Sequence, residues 1–171
     1  MKSLTLALAG FLFVSLPPLG AQSIARDSLL SHLAGRWVLR GSMAGRNVVH
    51  DVTFQWVLGG EYVEMHEVSR ERTPAGTPAY EAVAYLVHDP HSHEYGALWM
   101  DNTDYNAFLP GGQGRGVATG DSIPFLFTSS PTDRFHNTFV YDRANDTWAW
   151  HMDNDDARGR RPFARVTLTR R

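Results

Sequence analysis

No cysteine occurs anywhere in the chain, so disulfides contribute nothing to its stability and zinc sites built on thiolates are excluded. Positive charge is not in excess either. Sixteen basic residues stand against 18 acidic ones, which argues against a nucleic-acid binder or a polybasic membrane surface. Lysine is confined to Lys2, and every later basic side chain is arginine, a bias that reflects the base composition of the source rather than a site. Long apolar runs are also missing. The longest, Leu4 to Leu16, falls short of the ~20 residues that a membrane-spanning helix needs. Preceded by Lys2 and followed by Pro17-Pro18-Leu19-Gly20-Ala21, that run reads as a signal peptide, with cleavage after Ala21 and a mature chain from Gln22. With no cysteine at the cleavage site, lipid attachment of the lipoprotein kind is excluded. The expected product is exported, periplasmic or secreted. No internal repeat, low-complexity segment or domain boundary interrupts residues 22–171, which suit one domain with one core.

What is present is strand-type alternation, clearest on either side of Gly59-Gly60. A glycine pair favours a tight hairpin turn because both positions tolerate positive φ. That turn sets Trp56 opposite Val63 and Phe54 opposite Met65 on one apolar face. Thr53, Gln55, Glu64 and His66 fall on the other, since side chains alternate with period two. Such a hairpin needs further strands to cover it. Ser23–Ala34 reads as a short helix capped by Asp27 or Ser28, of the kind that plugs one end of a barrel. Arg36–Gly41 is a first strand and Gly41–Asn47 a loop. Tyr80–His88 alternates, with Tyr80, Ala82, Ala84 and Leu86 on one side. Glu94–Met100, Ser122–Ser129, Arg134–Tyr141, Trp148–Asp153 and Phe163–Thr169 follow, with a short pair at Tyr105–Pro110 and Gly114–Thr119. The total is about nine or ten strands with turns at the spacing of a sandwich or up-and-down barrel.

Chemistry is harder to place. His88, His91 and His93 have the close spacing of metal ligands, but Asp89-Pro90 sets them at a turn where exposed polar residues are expected. His136 and His151 share a face opposite Phe135, Phe139, Trp148 and Trp150. That face is expected to be solvent, yet a neutral imidazole turned inward would ligate haem iron or act as a base. Asp153-Asn154-Asp155-Asp156 lacks the glycine and distal glutamate of a calcium loop. Among Glu61, Glu64 and Glu67, Glu64 points away from the other two, and no second acid lies opposite to make a glycosidase pair. The glycine-rich stretch Gly111–Gly116 precedes no helix and reads as a hairpin loop rather than a phosphate cradle. No serine sits in a nucleophile elbow. No catalytic residue and no metal site emerges. The tryptophans are core by default, or the walls of an apolar cavity.

Leu33-Ala-Gly-Arg-Trp37, Trp56-Val-Leu-Gly-Gly60, Tyr85…His88-Asp89-Pro90 and Trp99…Asp101 together resemble a secreted bacterial family known only as the domain of unknown function 1579 family, which is lipocalin-like. The resemblance covers most of the mature chain. It implies a calycin-type barrel and no established activity, so it assigns no catalytic residue. More remotely, Gly35-Arg-Trp37 is similar to the opening of the nitrobindin-like haem barrels, although Leu39 and Arg40 stand where that pattern has glycines.

The expectation is therefore an all-β, antiparallel, up-and-down lipocalin-like barrel with a short N-terminal helix. It would hold a small apolar or amphipathic molecule among Phe54, Trp56, Met65, Trp99, Trp148 and Trp150. Two alternatives stand beside it: a haem-binding redox protein using His136 or His151, and a filled barrel that acts on another protein through its loops.

Overall fold

A computed structural model describes residues 26–103 and 108–171; the segment read as a signal peptide and part of the Tyr105–Pro110 stretch lie outside them. Among the described residues a short α-helix, α1 (Ser28–Leu33), precedes ten strands. They are β1 (Gly35–Met43), β2 (Arg46–Val57), β3 (Tyr62–Ser69), β4 (Glu81–His88), β5 (Glu94–Asp101), β6 (Gln113–Val117), β7 (Ser122–Ser130), β8 (Asp133–Asp142), β9 (Thr147–Asp156) and β10 (Gly159–Arg170). Each pairs antiparallel with the next, and β10 pairs back onto β1, closing an up-and-down barrel that leaves no free sheet edge among the described strands.

The opening hairpin has the register expected from its alternation, with Trp56 opposite Val63 and Phe54 opposite Met65. Its turn is longer than two residues. Val57 and Tyr62 form the last pair, and a single 3₁₀ turn of Leu58–Gly60 joins them, with Leu58, Gly59 and Gly60 all at positive φ. Two other readings are corrected. The stretch from Gly41 to Asn47 is not a loop: β1 runs on to Met43 and β2 starts at Arg46 around a turn at Ala44-Gly45. Likewise, the strand expected at Gly114–Thr119 is β6, Gln113–Val117, which takes in the part of the glycine-rich stretch that read as hairpin loop. Its glycines are there for close approach, since a Cβ on Gly116 would lie 1.7 Å from the Pro124 carbonyl oxygen.

Inward residues alternate along every strand and divide the interior in two. Around the middle, Trp148, Trp150, Phe54, Phe125, Phe139 and Met65 are essentially sealed from solvent. Phe139 stacks on Trp150 at 4.5 Å and meets Phe54 and Phe125 edge-on. Rings buried so completely each contribute on the order of 2–3 kcal/mol. Below this layer α1 plugs the barrel with Leu29, Leu30 and Leu33. Asp27 caps α1 through a 2.8 Å bond from the Leu30 amide, and Arg170 covers its far end by donating to the His32 and Ala34 carbonyls. At the opposite end, where β1 turns into β2 and β9 nears its hairpin with β10, no helix among the described residues plugs the barrel.

Candidate functional site

The unplugged end holds a cavity of about 660 Å³. Strand register explains its shape. On β2 the inward residues Val48 and His50 line it, and the next inward ones, Val52 and Phe54, belong to the packed core. On β3 the deepest lining residue is Glu67, on β5 Trp99, on β8 Asn137 and on β9 Met152. Nearer the mouth, Met43, Phe127, Phe135 and Phe163 form apolar walls. Phe135 and Phe163 meet edge-on at 5.6 Å.

The floor is polar. His50 Nδ1 lies 2.5 Å from Glu67 Oε1, and the two residues are 3% and 0% exposed. The other carboxylate oxygen, Glu67 Oε2, is buried and without a hydrogen-bond partner among the described residues. Burial pushes the Glu67 carboxyl above its ordinary range, against the opposing pull of His50, and the nearby charge of Asp101 pushes it further. Tyr80 stacks on the His50 ring, with centroids 5.7 Å apart and planes at 24°. Burial, followed by the charges of Glu67 and Asp101, holds the Tyr80 hydroxyl protonated far above the usual tyrosine range, so it remains a donor. Asp101 accepts from Trp99 Nε1 at 3.2 Å and from the Thr103 amide at 2.8 Å. Asn137 accepts from Trp150 Nε1 through its side-chain oxygen, which leaves the amide nitrogen as the end available to the cavity.

Of the residues expected to bind a ligand, Trp99 lines this cavity. Phe54, Met65, Trp148 and Trp150 are in the close-packed middle layer, where Trp150 supports the floor from behind by contacting Trp99 and holding Asn137. Trp56 lies at the plugged end, half-buried beneath the Arg26 guanidinium. The two candidate haem ligands face away from the interior. His136 is partnered by Asp155 at 3.3 Å, and His151 is exposed between Thr138 and Arg165 on the neighbouring strands. His88 lies beside Asp27 at 3.6 Å, close to the foot of α1. Among the described residues, no three histidine, aspartate or glutamate side chains are grouped to hold a metal ion. Glu64 faces outward, accepting from Gln55 and Tyr85, while Glu67 faces inward.

His50, Glu67 and Asn137 went unselected in the sequence, although a signal for the first two was present. The period that turns Phe54 and Met65 inward turns His50 and Glu67 inward as well, and Val52 stands directly opposite Glu67.

No family model matches the chain, and no curated protein matches it. Among solved structures, a redesigned beta barrel is similar at 10% identity and a TM-score of 0.43, over 84% of this chain and 95% of that one.

Proposed function

We propose that this barrel is an exported, lipocalin-like binding protein for a small amphipathic molecule. The observation that carries the reading is the cavity. About 660 Å³ is within the range of small-molecule sites, and its aromatic walls end on a floor of a few convergent polar groups. The apolar body of the ligand lies against Trp99, Phe127, Phe135 and Phe163, and its polar end reaches His50 and Asn137. The plugged end and the sealed aromatic layer give the cavity a rigid base, which keeps the ordering cost of binding low.

The test is titration with N-phenyl-1-naphthylamine, a neutral probe that fluoresces when shielded from water. Saturable enhancement that falls at least about tenfold in affinity in Trp99→Ala supports the reading, since losing a large ring from an apolar wall costs over 1.4 kcal/mol. Binding unchanged in Trp99→Ala and in Phe135→Ala would place the probe elsewhere and sink it. Native mass spectrometry of protein recovered from its own cells decides among the alternatives. A retained organic molecule supports the binding protein, and a haem mass with a Soret band lost in His136→Ala or His151→Ala favours the redox reading. A bare chain with a bound protein partner favours the filled barrel. Export belongs to the same proposal, and an N-terminus beginning at Gln22 in the exported fraction is its expected result.

A further inference from the structure

We propose that His50 and Glu67 form an acid–base centre at the cavity floor. In it, His50 takes and returns a proton at a carbon beside a carbonyl group of the bound molecule, and Asn137 donates to the carbonyl oxygen. This rests on the binding reading above and specifies its ligand as a small carbonyl compound with an apolar body.

The geometry has four parts. In an imidazole the two nitrogens point to well-separated sides of the ring. With Nδ1 at 2.5 Å from Glu67, Nε2 is therefore directed away from the carboxyl. Glu67 is the fully sealed member, and His50 retains the slight exposure. The carboxylate thus stands behind the ring, where it fixes orientation and tautomer and stabilises an imidazolium as it forms. Tyr80, stacked on the ring face, limits its rotation. Across the barrel, Trp150 fixes the Asn137 carboxamide with its oxygen engaged, so the N–H end is the donor offered to the cavity.

A purely structural role explains these groups poorly. The pair sits on an apolar layer that Val52, Phe54 and Met65 already continue, and a hydrophobic pair would extend it without leaving Glu67 Oε2 unpartnered. Acyl transfer is also less well supplied. Ser69, directly opposite His50 on β3, accepts from the Glu71 amide and makes no hydrogen bond to His50. A base with only 3% exposure, on the floor of a cavity with apolar side chains in its walls, suits a carbon acid.

The step balances without a cofactor. The C–H bond breaks and its proton goes to His50 Nε2. The electron pair becomes the C=C bond of an enolate, and the carbonyl π pair moves to the oxygen, where Asn137 Nδ2 donates. Return of the proton to oxygen or to carbon releases the enol or the ketone and restores neutral His50. Glu67 is a positioning residue, since it acts through His50.

The experiment uses benzoylacetone, an aromatic 1,3-diketone, on the full protein, following its keto–enol relaxation by ultraviolet absorbance. Its binding is measured separately by displacement of N-phenyl-1-naphthylamine. The expected result is saturable acceleration that drops about 100-fold in His50→Gln, the usual size of a general-base contribution. Glu67→Gln loses at least about tenfold and Glu67→Asp regains part of it, and added imidazole restores the rate of His50→Ala, which a structural role would not do. Binding without acceleration beyond that of free imidazole overturns the proposal and leaves the binding protein standing, as does acceleration that persists in His50→Gln. If neither probe binds, the cavity reading fails and the acid–base centre fails with it.

Discussion

Replacing His50 with leucine and Glu67 with methionine, singly and together, separates a pair kept for chemistry from one kept for stability. Both residues are buried, and they lie 2.5 Å apart. His50→Leu alone leaves a sealed carboxyl with no partner on either oxygen, a loss on the order of 3–5 kcal/mol when the group is ionised. Glu67→Met alone leaves one imidazole nitrogen unpaired, about 1–3 kcal/mol. The double variant removes both requirements and the already unpartnered Oε2, so its stability is expected to equal the parent's or exceed it by about 1–4 kcal/mol. The single-variant cost also has a pH signature. Burial raises the folded-state pKa of Glu67, so its contribution is fully present below the unfolded value near 4.3 and is lost as pH rises through the folded one. Without His50 to oppose that shift, the deficit of His50→Leu widens between pH 5 and pH 8, by up to about 1.4 kcal/mol per unit. Urea unfolding followed by tryptophan fluorescence at both pH values measures this. Deficits that simply add in the double variant, or a His50→Leu deficit that is flat with pH, would refute the reasoning.

Three further outcomes follow from other parts of the barrel. Gly116→Ala sets a Cβ against the Pro124 carbonyl oxygen where β6 and β7 are held by only two residue pairs, Gly114 with Phe127 and Arg115 with Leu126. A loss of about 3 kcal/mol is expected, with faster amide exchange confined to these strands; exchange unchanged in β6 contradicts it. Arg170 lies 4.0 Å over the Trp37 ring and donates to the carbonyls of His32 in α1 and of Ala34 just after it, so Arg170→Ala should cost on the order of 2 kcal/mol. Arg170→Lys should recover less than half of that, because an ammonium cannot copy the fork. Asp153 is pushed up by burial, but the guanidiniums of Arg165 and Arg160 outweigh this and leave its carboxyl below the usual range. Its stabilisation is present above the unfolded value near 3.9 and is lost as pH falls through the folded one. Asp153→Asn should therefore cost on the order of 1–2 kcal/mol at pH 7, discounted for the half-exposed arginines, and less as the pH is lowered into the acid range. A thermal-unfolding gap that persists undiminished in acid would contradict that sign.

The barrel was legible because closure needs only strands of the right period, and the period is written in each of them. Phe54 against Met65 and Tyr80 with Ala82 and Ala84 are placed correctly by alternation alone. The division of the interior was not legible. Trp99, Trp148 and Trp150 all face inward, but of the three Trp99 alone lines the cavity. Height along the axis depends on the stagger of ten strands, which no single strand encodes. His50 and Glu67 were missed for a different reason. Attention to apolar residues ends the inward face at Val52 and Met65, whereas the same alternation runs one step further on each strand into polar side chains.

The two ends of the barrel differ in how they treat charged groups, and that difference supports the cavity end as the proposed site. At the plugged end, Asp27 accepts from the Leu30 amide and from Tyr95, and Arg170 satisfies the last carbonyls of α1. The Trp37 indole donates to Leu33 at 2.7 Å, whereas the Trp148 indole nitrogen, in the packed layer between the two ends, is buried with no partner among the described residues. At the cavity end, one oxygen of a fully buried carboxyl has no partner among the described residues, in a site whose apolar walls of Met43, Phe127, Phe135 and Phe163 are joined by polar residues such as Arg46, Asp133 and Arg134. An unpartnered buried oxygen lowers stability by about 1–3 kcal/mol, and an apolar substitution on this face is available to remove that cost. A barrel selected for stability alone would close its cavity end as it closes its helix end. Keeping a hollow with an ionisable floor is what a site for binding, or for proton transfer to a bound molecule, requires.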